Sequence, residues 1–431
     1  MEKNLGHIIN GNVHYESGKT IDIFNPSNGE KISAISNPSS KIIENALSSS
    51  QNAFEEWKSY SIAKRASILF DYKILLEKNI DKIAGIISKD LGKVHEDAVG
   101  EVRRGIENVE YACGIGEIIK GEFNKNISTS VDSWSEFYPL GTVLGVTPFN
   151  FPAMVPLWMF PLAIATGNSF ILKPSEKDPI GSMFIVELFN ETKAPKGLLN
   201  LINGDKNVVT DLIEDDRIKA ISFVGSTPVA KKIYETAAIS GKRCQALGGA
   251  KNHALILPDA NIDYTTDQLI SASFGSSGQR CMALSVAVVF SNVKEKFIDS
   301  LTKKVSKLKY GLDDLNSNSF GPLVSKDHLE FVKNQIKMSE DEGARIVIDG
   351  RDLLKKNSNR GYFLGPTIID NVNSGMQSYK NEIFGPVLQI IEVEKVSEAI
   401  NLINNNKFGN GCCIFTGNGE EARNFSQQVD I

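Results

Sequence analysis

The chain has 431 residues, of which 41% are hydrophobic and 23% charged, with a formal net charge of −5. That length allows two or three domains with substantial cores, and the balance is that of an ordinary globular protein. A modest negative charge without a Lys/Arg-rich run argues against a nucleic-acid partner. The most apolar stretch, MVPLWMFPLAIA, is too short to span a bilayer and contains Pro156 and Pro161, so no membrane role is expected.

In chain order, MEKNLGHIING lacks the apolar core of a signal peptide. The expectation is a cytoplasmic protein, or a mitochondrial matrix protein if the source is eukaryotic, although no transit peptide is seen. IFNPSNGEKIS reads as a hairpin whose turn is marked by Asn-Pro and Asn-Gly. Residues 41–92 carry helical periodicity, and HEDAVGEVRRGIENVEYACG continues it. The stretch GEFNKNISTSVDSWSEFYPLG, residues 121–141, is polar and strand-like and interrupts the first region.

From residue 143 the pattern alternates. The runs VLGVT, SFILKP, LLNLIN, AISFVG and HALILP are separated by helix-length segments, which argues for a parallel sheet covered on both faces. In FVGSTPVAKKIYETAA, Thr227 is expected to cap a helix and Pro228 to take its first position. A strand passing through Gly225 and Ser226 into a helix N-terminus is a place to hold phosphate or ribose. No GxGxxG occurs, so the ordinary dinucleotide fingerprint is absent. A second α/β region runs from about residue 249 to the end.

The five cysteines, Cys113, Cys244, Cys281, Cys412 and Cys413, are odd in number and include no CxxC pair. Neither a disulfide framework nor a metal site is expected, which leaves room for a catalytic thiol. Cys281 is the candidate. It lies in FGSSGQRCMALS, among glycines and serines and next to Arg280, whose charge would favour the thiolate. No neighbouring histidine supplies a base, so a protease-like pair is excluded. Cys412 and Cys413, in the apolar run GCCIFTG, read as structural. Taken singly, other polar residues have ordinary readings. Asn150 suits a turn near proline, Lys173 and Glu176 a solvated ion pair, and Arg104 a surface helix pair with Glu107 or Asn108.

Seen together, TPFNFP, ILKPSE, PKGLLNLINGD, ISFVGS, ALGG, GQRC and NEIFGP, in that order, resemble the NAD(P)-dependent aldehyde dehydrogenases. PFNFPAMVPLWMFPLAIATGN, GGAKNHALILPDAN, GQRCMALS and RRGIENVEYA look like the CoA-acylating methylmalonate-semialdehyde dehydrogenase branch. The resemblance implies an α/β fold of two doubly wound, Rossmann-like parallel-sheet domains with a small β oligomerisation segment. Residues 1–120 and 142–248 would form the NAD-binding domain, 121–141 the oligomerisation hairpin, and 249–431 the catalytic domain.

It also implies roles for single residues. Cys281 would be the nucleophile, with the Asn150 amide and the Cys281 N–H supporting the alkoxide. Phe149, Lys173, Glu176, Gly225, Ser226, Glu382 and Phe384 would hold the cofactor. Lys173 and Glu176 resemble the pair at the adenosine ribose, and Glu382 and Phe384 the pair at the nicotinamide ribose. Glu176 favours NAD, because it would repel a 2′-phosphate. Arg104 and Arg280 match the branch's carboxylate-binding arginines.

The motif QALGG departs from hydrolytic relatives, which carry Glu where Ala246 stands. Alanine cannot take a proton from water, so CoA is expected as the acyl acceptor, a thiol needing little base. The implied reaction converts methylmalonate or malonate semialdehyde to propionyl-CoA or acetyl-CoA with loss of CO2. The alternatives are a hydrolytic NAD-dependent aldehyde dehydrogenase, or an inactive NAD-binding relative. Family members continue beyond NFSQQVDI, so the resemblance implies a catalytic domain incomplete at its C-terminal end. Where the missing strand is supplied, a homo-oligomer, dimer or tetramer, is expected.

Overall fold

A computed structural model describes residues 3–311, 315–351 and 361–431. The chain divides into two compact units, one of residues Met1–Phe24, Lys31–Leu91 and Ala98–Gly248, the other of Asn25–Glu30, Gly92–Asp97 and Gly249–Ile431.

The first unit is organised by a seven-stranded sheet. Its order is Arg243–Leu247, Ile218–Val224, Thr142–Val146, Ser169–Lys173, Leu199–Leu201, His7–Ile9, Asn12–His14. The strands from Arg243–Leu247 to Leu199–Leu201 are parallel, as the alternating pattern predicts. Thr142–Val146 and Ser169–Lys173 are buried throughout, which explains their unbroken apolar runs. The other edge is antiparallel, made by His7–Ile9 and Asn12–His14. Asn10 and Gly11, at φ 52° and 76°, supply the two left-handed residues that such a hairpin turn needs. The hairpin expected in IFNPSNGEKIS forms, pairing Thr20–Phe24 with Lys31–Ser36.

Helices Ser40–Trp57 and Ile62–Lys78 start where Ser39 and Ser61 accept the amides of Ile42 and Lys64. Helix Met154–Ala165 is apolar nearly all round and correspondingly buried. Helix Thr227–Ile239 corrects the expected cap. Ser226 takes that position, Thr227 is the first helical residue, and Pro228 follows inside the first turn, where its missing N–H leaves no bond unmade. Phe123–Ser128 and Val131–Trp134 form a separate two-stranded ribbon with every residue exposed.

The second unit carries a six-stranded sheet ordered Arg345–Ile348, Thr367–Asp370, Val387–Val393, Leu284–Phe290, Asn252–Ile256, Cys412–Phe415. All neighbours are parallel except Arg345–Ile348, which runs antiparallel at one edge. Apolar clusters lie on its two faces, one including Leu255, Val286 and Ile391, the other Ala254, Val289 and Phe297. This follows from the period of two along each strand. Among the described residues, no helix is long and apolar enough to cross a membrane.

Candidate active site

The second unit builds a tight turn around Cys281. Helix Ile262–Phe274 ends in GSSG, where Ser276, Ser277 and Gly278 have φ of 49°, 58° and 68°. Two successive serines in the left-handed region are strained and need outside support. Asp97 Oδ2 accepts both the Ser276 amide and its hydroxyl, each at 3.0 Å. Ser277 Oγ donates to the Gly321 carbonyl. Gln279 donates to Pro322 O at 3.2 Å and accepts the Val324 amide at 3.0 Å. The small residues therefore make a braced backbone turn. A Cβ on Gly278 would lie 2.1 Å from the Gly385 carbonyl, so only glycine lets GQRC and IFGP touch.

Cys281 is partly buried and lines a narrow recess with Arg280, Glu382, Phe384 and Asn252. Burial pushes its thiol above the ordinary value, while the backbone amides of Cys281 and Met282 pull the other way. The charge of Arg280 does not set that balance. Its guanidinium is paired with Asp97 Oδ1 at 2.9 Å, and a Cβ on Gly275 would collide with it.

Glu382 Oε1 accepts the Ala250 amide at 2.9 Å, and a Cβ on Gly249 would stand 2.3 Å from its other oxygen. Burial raises the Glu382 carboxyl, opposed by that amide and by the charge of Lys251. Phe384 has a left-handed φ of 56°, and its carbonyl accepts His328 Nε2 at 2.8 Å. Lys251 is fully buried and donates to the carbonyls of Ser378, 3.1 Å, and Asn381, 2.9 Å. Burial lowers its ammonium to about 7, the Glu382 charge opposing.

The first unit places Phe149 and Asn150 in the loop between strand Thr142–Val146 and helix Met154–Ala165. Asn150 is buried, and Lys177 sits over the Phe149 ring at 5.4 Å. The loop is held by partners that the sequence does not advertise. Glu101, buried, accepts the amides of Ala153, 2.8 Å, and Met154, 3.2 Å, at the helix N-terminus, and Ser182 donates to the Pro152 carbonyl at 2.6 Å. The Thr147 amide donates to the Lys173 carbonyl at 3.1 Å, joining the TPFNFP and ILKPSE segments.

Lys173 is buried, and its ammonium meets Glu176 at 3.0 Å. Burial pushes the Glu176 carboxyl up, but the Lys173 charge and the hydrogen bonds to the carboxylate bring it below the ordinary value. Gly225 donates to Leu247 O at 3.1 Å at the end of strand Ile218–Val224. Ala246 lies partly buried in the edge strand Arg243–Leu247. Arg104 is exposed on helix His95–Cys113, where its carbonyl accepts the Asn108 amide. Cys413 is a sheet residue whose thiol burial pushes up to about 12, far from a nucleophile's range.

Two wound sheets, one with a buried Lys–Glu pair at a strand end and the other with a thiol in a braced turn beside a carboxylate, define a thiol-bearing α/β protein with nucleotide-compatible groups. Comparison with known proteins makes this specific. The sequence matches the Aldehyde dehydrogenase family over residues 13–431, and the chain belongs to that family. It is similar to the malonate-semialdehyde dehydrogenase of Pseudomonas aeruginosa, 47% identical over 99% of this chain and 86% of the relative. That of Halalkalibacterium halodurans is 44% identical over 99% and 88%. The crystal structure of the methylmalonate-semialdehyde dehydrogenase DddC from Oceanimonas doudoroffii superposes with a TM-score of 0.97 at 49% identity, covering 100% of this chain and 88% of that one. A Sinorhizobium meliloti 1021 protein solved in complex with NAD gives 0.97 at 39% identity over the same shares.

Proposed function

We propose that this aldehyde dehydrogenase oxidises malonate or methylmalonate semialdehyde with NAD and passes the acyl group to CoA. The observation that carries the reading is the Cys281 turn, with the nucleophile and Glu382 in one recess of the second unit. Ala246 stands where hydrolytic relatives place a base. The names of the relatives supply the substrate class.

The residues present fit NAD. Glu176 offers carboxylate acceptors to a ribose diol and Lys173 donors. Gly249 leaves room for Glu382 to hold the Ala250 amide, and a carboxylate there is an acceptor suited to a sugar hydroxyl. In this reading Phe149, Gly225 and Ser226 of the first unit would help to hold the cofactor, Gly225 and Ser226 at its pyrophosphate. The second unit supplies Cys281, Glu382 and Phe384.

The Cys281 thiolate adds to the aldehyde carbon, and the carbonyl electrons move to oxygen. Asn150 and the Cys281 amide stabilise that oxyanion. Oxidation of the adduct, for which bound NAD supplies the hydride acceptor, leaves a thioester on Cys281. The β-carboxylate leaves as CO2, its electrons passing to the thioester carbonyl before a proton returns to carbon; the family resemblance gives its orientation to Arg104 and Arg280, the latter already paired with Asp97. The CoA thiolate then attacks the thioester and expels the Cys281 thiolate.

The exposed hairpin, with Phe123, Trp134, Phe137 and Tyr138 each more than 60% accessible, supports a homo-oligomer, dimer or tetramer. Incubation with NAD and malonate semialdehyde in the absence of CoA tests the acyl-enzyme by mass spectrometry. An acetyl adduct on Cys281, absent from Cys281→Ser, is the expected result; no adduct on the wild-type thiol would remove the proposal.

A further inference from the structure

The carbonyl of Cys281 is held by two side-chain amides from distant strands. Asn252, at the start of strand Asn252–Ile256, donates to it at 2.8 Å, and Asn410, just before strand Cys412–Phe415, donates at 2.8 Å. Asn252 also donates to Ala283 O at 2.9 Å, so its amide nitrogen is fixed by two acceptors. Asn410 is kept at φ 94°, a conformation that glycine tolerates and most residues avoid. Its amide also lies 3.0 Å from Met282 Sδ. The Ala283 amide donates to Arg280 O at 3.0 Å and closes the turn from the other side.

A trans peptide points its C=O and the following N–H in opposite directions. Gripping the Cys281 oxygen on one side therefore fixes the Met282 N–H on the other, and the Met282 amide is one of the groups that pull the Cys281 thiol down. Two donors on a carbonyl also polarise its peptide and strengthen the N–H as a donor. Among the described residues, no histidine or cation enters the balance at the Cys281 thiol, and Arg280 is paired with Asp97. Oriented amides are what remains.

We propose that Asn252 and Asn410 are positioning residues that hold the 281–282 peptide so that its N–H stabilises the thiolate. The inference rests on Cys281 being the nucleophile. Its consequences nevertheless appear without aldehyde, NAD or CoA.

The test is the pH dependence of Cys281 alkylation by iodoacetamide in the full chain, read by mass spectrometry at that residue. Asn410→Gly removes the amide while accepting the left-handed backbone, and Asn252→Ala removes the buried partner. Each variant is expected to alkylate about fivefold more slowly near neutrality, with the midpoint raised by about 0.7 unit. An unchanged midpoint in folded Asn410→Gly would overturn the inference, and so would a slower rate with no shift in midpoint, which would report access alone. If Asn252→Ala fails to fold, Asn410→Gly decides, since Asn410 is exposed. Formation of the acyl adduct by the wild type remains a separate result, so either idea can fail alone.

Discussion

Replacing Gly278 by alanine tests how the turn around Cys281 is built. Gly278 has φ 68°, and a Cβ there would stand 2.1 Å from the Gly385 carbonyl oxygen. The left-handed conformation costs an alanine about 1–2 kcal/mol. Relieving the overlap requires one backbone segment to move from another, about 1–3 kcal/mol more. The sum is about 2–5 kcal/mol, or a fall in Tm of roughly 4–20 °C for a domain of this size. Gly343 is the control: its φ is 95°, but nothing lies within 4 Å of its Cβ position. Gly343→Ala should therefore lose only the conformational part, about 1–2 kcal/mol. Denaturant unfolding followed by circular dichroism measures both. Equal losses in the two variants would refute the close approach of the GQRC and IFGP segments.

Other predictions follow from single side chains. Asp90, buried, accepts the Ile180 amide at 2.8 Å, and burial pushes its carboxyl up to about 7 against the amides of Ile180 and Gly181. The folded state thus holds its proton more tightly than the unfolded chain, and the stability that Asp90 contributes falls as pH rises from about 4 through about 7. Asp90→Asn keeps the acceptor without the charge, so its stability should gain on the wild type across that window. Parallel curves would contradict the assignment. Ala246→Glu should raise NADH turnover without CoA, and no increase would mean that geometry, rather than the missing base, keeps water away. Trp134→Ser with Phe137→Ser should lower the mass measured by light scattering. A wild type that is itself monomeric would remove the role given to the hairpin.

Much of this was legible in the sequence because the informative patterns were local. Buried strands such as TVLGV and SFILK announce a parallel sheet through unbroken apolar runs, and Asn-Pro with Asn-Gly marks a turn. The Asn10-Gly11 hairpin carried the same kind of signal and explains the antiparallel edge that a purely parallel reading omits. The supports of the site were not legible, because each joins residues far apart in sequence. Glu101 reaches the amides of Ala153 and Met154 across 52 and 53 positions, and Asn410 reaches Cys281 across 129. Asp97 pairs with Arg280 across 183 positions, and this is why adjacency of Arg280 to the thiol misstated where its charge is used. Ser226 rather than Thr227 takes the N-cap position, without a side-chain bond to the helix, a one-residue difference that two neighbouring hydroxyls cannot resolve by type alone.

The most direct test of the acylating reading is NADH absorbance with the purified chain, NAD and malonate or methylmalonate semialdehyde, with and without CoA. Sustained turnover only with CoA, forming acetyl-CoA or propionyl-CoA, is the predicted result. Equal turnover without CoA would contradict it and place a water-activating base elsewhere in the site.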